Sequence, residues 1–112
     1  MSSKYHNRKA VVDGITFDSI TEAEYYIGLK LLLRDGAIKD IEIHPKFLLQ
    51  PAYVKNGKKI RPIYYEADFA YFDIVAGKNV VVDVKGCKTD VYKLKKKLFE
   101  YRYDLTITEV KA

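Results

Sequence analysis

Residues 64–86 read YYEADFAYFDIVAGKNVVVDVKG. Two runs rich in aromatic and β-branched residues flank Ala76-Gly77, the composition of an antiparallel strand pair. The first is predicted as one long strand, Tyr64–Val75, and the second as Val80–Lys85. Gly86 breaks the pattern. With a loop over Ala76–Asn79, Val75 faces Val80, and even-numbered residues of the first strand share a face with odd-numbered residues of the second. Lys85 then lies opposite Ala70. Asp68 is one diagonal step away, about 7–8 Å between Cα atoms. A one-residue change of loop length would turn Asp68 to the other face.

Upstream, Ala10–Val12 and Ile15–Phe17 flank Asp13-Gly14, a strong two-residue hairpin signal. Ser19 and Glu22 have the spacing of a capping box. Ala23, Tyr26, Ile27, Lys30 and Leu31 follow a helical period that stops at Gly36. Ile41 and Ile43 alternate with polar residues before Pro45, and Phe47–Gln50 is a short strand. Tyr53–Val54 and Lys59–Ile63 flank Asn56-Gly57, a second hairpin. Downstream, Thr89 or Asp90 caps a second helix, with Val91, Leu94, Leu98 and Tyr101 on one face. Leu105–Val110 is a last strand. The order predicts an α/β domain over residues 10–112, a mixed β-sheet flanked by helices. Residues 1–9 form a flexible basic arm ahead of it.

The chemistry concentrates in Asp68, Asp83 and Lys85. Asp83 and Lys85 share one face of an otherwise all-valine strand end, with Val84 on the other. Charged groups there cost free energy unless they are paired or bound to a metal. Two carboxylates can hold Mg²⁺ or Mn²⁺, hard cations that take oxygen ligands. The carbonyl of Val84 is placed as a further ligand. A lysine beside such a cation can orient water or offset charge on a phosphate. A salt-bridged strand end, with Asp68 hydrogen-bonded near an edge, is the structural alternative. Glu22 also has two readings, a reciprocal cap on Ser19 or a residue of the metal site. Glu24 lies on a different face. Glu66 shares the face of Asp68, further out. His44, before Pro45, reads as structural, and His6 sits in the arm.

The chain has 112 residues, one domain's worth, with 48% hydrophobic and 31% charged residues, so it reads as globular and soluble. No apolar run approaches a membrane span, and Met1 to Arg8 hold no secretory stretch. The single cysteine, Cys87, forms no internal disulfide, which suits a reducing cytoplasm. The net charge is +5. The basic excess clusters at Lys4, Arg8 and Lys9, at Lys55 to Arg61, and at Lys85 to Lys97, which fits a polyanion such as DNA. Lys93 and Lys96, one turn apart on the second helix, are candidate phosphate contacts together with Arg8 and Lys9.

With these residues in hand, the chain resembles the PD-(D/E)XK nuclease superfamily, and within it an uncharacterised phage and prophage family of small nucleases. The shared pattern runs through Phe17-Asp18-Ser19, Glu22-Ala23, Gly36-x-Ile38, Tyr65-x-Ala67-Asp68-Phe69, Asp83-Val84-Lys85-Gly86, and Tyr92 to Phe99. Ala67 stands where the family pattern usually has proline. The resemblance implies a restriction-endonuclease-like fold and a Mg²⁺- or Mn²⁺-dependent endonuclease. Asp68, Asp83 and Lys85 would be its catalytic residues, with Glu22 from the first helix. Small phage members include Holliday-junction resolvases, so branched DNA, a homodimer and a bacterial host's cytoplasm are expected. The alternatives are a nucleic-acid-binding module that does not cut, or a phage protein-interaction factor whose contact surface is the aromatic strands.

Overall fold

The computed structural model describes residues 8–112. Lys4 and His6 lie outside them, as does most of the expected arm; Arg8 and Lys9 are exposed and carry no regular structure. Asp13 and Gly14 take positive φ (54° and 76°), the conformation that folds β1 (Ala10–Val12) onto β2 (Ile15–Phe17), with Ala10 opposite Phe17. Helix α1 (Ile20–Arg34) starts at Ser19, whose hydroxyl accepts from the Glu22 N–H at 3.1 Å. It ends before Gly36, at φ 78°. Its buried stripe is Glu22, Ala23, Tyr26 and Leu29, while Ile27 and Leu31 are exposed. The expected face was therefore rotated: the first hairpin and the sheet cover the Ala23–Tyr26 side.

The central sheet has the order β10-β9-β8-β3. It comprises β3 (Ile38–Ile43), β8 (Phe69–Asp73), β9 (Lys78–Lys85) and β10 (Ile107–Lys111). β8 pairs antiparallel with both β3 and β9, and β10 runs parallel to β9 through the crossover helix α2 (Asp90–Arg102). Two ribbons stand apart from this sheet: β4 (Lys46–Gln50) with β7 (Ile63–Glu66), and β5 (Tyr53–Lys55) with β6 (Lys58–Ile60), the latter turning at Asn56-Gly57.

Two expectations are corrected in this region. The long strand Tyr64–Val75 is broken at Ala67-Asp68: β7 leaves to pair with β4, and only β8 pairs with β9. The loop is Ile74–Gly77, not Ala76–Asn79. The Asp73 side chain accepts from the Ala76 N–H, and the Gly77 N–H, at φ 68°, bonds back to the Asp73 carbonyl. Val80 consequently faces Tyr71 rather than Val75. The slip is an even number of residues, so the faces are preserved.

Val82 and Phe69 join Phe17, Ala23, Tyr26, Leu29 and Ile38 in a core under α1. Val81, Ala70 and Ile107 join Tyr65, Leu49, Tyr92 and Phe99 in a second core under α2. Helix α2 thus buries Tyr92 and Phe99. The expected face is exposed, with Val91 at 62%, Leu94 at 59%, Leu98 at 42% and Tyr101 at 91%. The reason is aromatic: Phe47, Tyr65 and Tyr103 ring Phe99, with centroids 4.9–5.3 Å away. The result is a mixed α/β sheet with one helix on each face. No helix among the described residues is long and apolar enough to cross a membrane.

Candidate functional site

The break between β7 and β8 builds the site. At Asp68 the chain bends, and its N–H donates to the Val82 carbonyl at 3.0 Å. Its carbonyl accepts from His44 N–H at 2.9 Å, and its carboxylate accepts from Val84 N–H at 2.5 Å. Asp68 is thus pinned at the end of β9, at a bend rather than in mid-strand as expected. A strand residue turns its N–H and C=O to the same side, so the Val84 carbonyl also faces this bend.

A cleft of about 730 Å³ opens here, lined by Asp18, Ser19, Glu22, Asp68, Val84 and Lys85 among others. Burial pushes the Asp68 carboxyl up to about 7. The charges of Asp83 and Glu22 add to this, while the Val84 hydrogen bond and Lys85 oppose it. Glu22 is only 4% exposed. Its carboxylate does not return to its own helix terminus, so the capping box is half made. Instead its Oε1 lies 2.9 Å from His44 Nε2. Burial lowers the His44 pKa, but the Glu22 hydrogen bond and the carboxylates of Glu22, Asp68 and Glu66 outweigh it, leaving it raised.

Glu22, His44 and Asp68 together bring three ligating atoms within 4.8 Å of one another. They come from α1, the β3–β4 turn and the β7–β8 bend. Such donors fit a divalent cation: two hard carboxylates and one imidazole, on separate elements that fix their positions. Another cleft of similar volume, between Lys78–Val80 and Asp104–Thr106, holds no comparable cluster among the described residues.

Asp83 takes a different place. It is 2% exposed and turned to the α2 face. Tyr65 O–H donates to its Oδ2, and Lys85 Nζ lies 3.3 Å from its Oδ1. The buried Tyr65 hydroxyl is held well above its usual range, by burial first and then by Asp83. Asp83 therefore reaches Asp68 through its charge but does not line the cleft, and both its oxygens are occupied. Lys85 is held from below as well, with Nζ 4.3 Å from the Tyr92 ring centroid. The Tyr92 hydroxyl in turn donates to Glu109 at 2.7 Å. Lys88 and Lys96 also bind Glu109, and with Tyr92 they pull its carboxyl down to about 2.

The expected DNA contacts are dispersed. Lys96 is committed to Glu109, Lys93 is exposed on α2, and Arg8 and Lys9 precede β1; none lines the cleft. Glu24 and Glu66 are exposed, and neither is part of the cluster. His44 carries no local sign of a ligand, since its partners sit 22 residues before it and 24 after it, beyond any local spacing. Its place before Pro45, where the chain must turn, was the one available signal.

No curated protein and no solved structure matches the chain. A family model described as a protein of unknown function, DUF1064, matches residues 2–111. Matched over nearly its whole length, the chain belongs to the DUF1064 family.

Proposed function

We propose that this protein is a divalent-cation-dependent endodeoxyribonuclease on a restriction-endonuclease-like fold, acting at the cleft beside Asp68. One observation supports this above the rest: Glu22, Asp68 and Lys85 share one cleft at the end of a buried strand. Glu22, Asp68 and the Val84 carbonyl would hold Mg²⁺ or Mn²⁺. When bound, the cation polarises a phosphoryl oxygen and makes an attacking water more acidic.

The chain's own residues do the remainder. Lys85 presents its ammonium to the phosphate and offsets the charge that develops there. Asp83 and the Tyr92 ring position that ammonium, which is the role the structure favours for Asp83. Hydrolysis adds water across one P–O bond: the water oxygen joins phosphorus, one proton is lost, and the departing sugar oxygen is protonated. Arg8, Lys9, Lys93 and the other basic side chains attract the DNA backbone without reading bases. A branched substrate cut on two strands would call for two copies of the chain.

The engagement of both Asp83 oxygens favours a second reading, a nucleic-acid-binding module that does not cut. A cleavage panel separates the two: duplex, single strand, flap and four-way junction, each with Mg²⁺ or Mn²⁺. Cutting of any member by the parent and not by Lys85→Ala supports the enzyme. Binding without cutting throughout supports the module.

A further inference from the structure

We propose that His44 is a direct cation ligand, and that the Glu22–His44–Asp68 cluster selects a first-row transition cation of the Mn²⁺ type over Mg²⁺. This deepens the nuclease reading and rests on it for the identity of the cleft.

Three observations carry it. First, the ligating atoms converge within 4.8 Å although they come from three elements far apart in the chain. Second, Glu22 is 4% exposed, yet among the described residues its carboxylate takes one side-chain partner, His44, through one oxygen. A buried carboxylate ordinarily fills more of its acceptor sites. Third, His44 holds φ 53°, the left-handed region that Gly or Asn enters at less cost. The strain is fixed by the His44 N–H on the Asp68 carbonyl at 2.9 Å and the Ala67 N–H on the Pro45 carbonyl at 3.0 Å. The same hydrogen bond that ties the backbone of His44 to Asp68 therefore aims its ring at Glu22.

The donor chemistry gives the selectivity. Mg²⁺ demands oxygen ligands in a near-ideal octahedron and keeps most of its waters. An imidazole nitrogen suits softer first-row ions, whereas the two carboxylates still serve a hard one. A mixed set of this kind handicaps Mg²⁺ and leaves Mn²⁺ a full complement. A purely structural Glu22–His44 tie would show no such discrimination.

The test uses the full chain without DNA. Mn²⁺ binding is followed by EPR, with Mg²⁺ as competitor, and pulsed EPR reads nitrogen hyperfine coupling on the bound ion. His44→Asn is the variant, since asparagine tolerates the left-handed backbone and lacks the ring. The expected result is nitrogen coupling in the parent and none in His44→Asn. The Mn²⁺/Mg²⁺ affinity ratio should fall at least roughly tenfold, a loss seen even for outer-shell partners of metal sites. Mn²⁺ that binds without nitrogen coupling, coupling that survives His44→Asn, or no Mn²⁺ uptake would each overturn the proposal. Should His44→Asn fail to fold, coupling that persists in His6→Ala supports the proposal, and coupling lost in His6→Ala overturns it. Cleavage is scored separately. Nitrogen-coupled Mn²⁺ in a protein that cuts no DNA overturns the nuclease reading; Asp68-dependent cutting without a nitrogen ligand overturns this site only.

Discussion

Replacing Asp68 with asparagine should stabilise the protein when no cation is present. The carboxyl is raised from 3.8 to about 7, first by burial and then by the charges of Asp83 and Glu22. A folded-state value above the unfolded one means that the folded chain binds the proton more tightly. The resulting cost is absent below about pH 4, grows as pH rises, and is fully present above about pH 7. Three units at about 1.36 kcal/mol each give an upper bound of about 4 kcal/mol. Asp68 lines an open cleft, and solvent screening cuts this to about 1–2 kcal/mol. Asparagine keeps an oxygen to accept from the Val84 N–H, so that hydrogen bond survives. Thermal unfolding by circular dichroism in EDTA, from pH 4 to 8.5, reads the effect. Asp68→Asn should match the parent at pH 4 and melt about 5–10 °C higher at pH 8. Saturating Mn²⁺ should stabilise the parent and not the variant. A variant that melts at or below the parent's temperature at pH 8 without metal would refute this electrostatic account of the site.

Lys85→Ala should abolish cutting while changing DNA affinity less than about threefold, since one of many basic side chains is lost; filter binding beside a cleavage gel measures both. Tyr65→Phe strands Asp83 Oδ2 in the core and should cost about 1–3 kcal/mol in urea unfolding; a change under about 0.5 kcal/mol would mean that the bond contributes nothing. Phe69→Ala, at a fully buried ring between β8 and α1, should cost about 3–5 kcal/mol in the same assay. Leu94→Ser on the exposed side of α2 should shift stability by less than about 0.5 kcal/mol, unless a second copy covers that face, when the oligomer seen by sedimentation would weaken instead.

Much of the fold was legible because local chemistry dictates it. Asp13-Gly14 and Asn56-Gly57 force their turns, and Ser19 starts α1 at the expected place. The break at Ala67-Asp68 was hidden because aromatic strand formers stand on both sides of it, Tyr64 and Tyr65 before and Phe69, Tyr71 and Phe72 after. The ladder that β7 joins is set by β4, a partner distant in sequence. Helix α2 follows a related logic: Tyr92 and Phe99 read as core residues and are buried, while the stripe through Val91, Leu94, Leu98 and Tyr101 is not. Its aliphatic stripe has the better period, but the cavity under the sheet is lined by rings and accepts Tyr92 and Phe99. Within the site, sequence singled out Asp68, Lys85 and Glu22, which share the cleft. It also placed Asp83 with Asp68 at a shared cation, whereas Asp83 does not line the cleft and pairs with Lys85 at 3.3 Å, as in the salt-bridged alternative. His44 could not be found, since only the folded chain brings it to Glu22.

The most direct measurement is single-turnover cleavage of end-labelled four-way-junction and duplex DNA by the parent and by Asp68→Asn, each with Mn²⁺, with Mg²⁺ and with EDTA. Product is expected from the parent with a divalent cation, none in EDTA, and none from the folded Asp68→Asn protein under any condition. Equal cutting by both proteins, or cutting in EDTA, would contradict the proposed function.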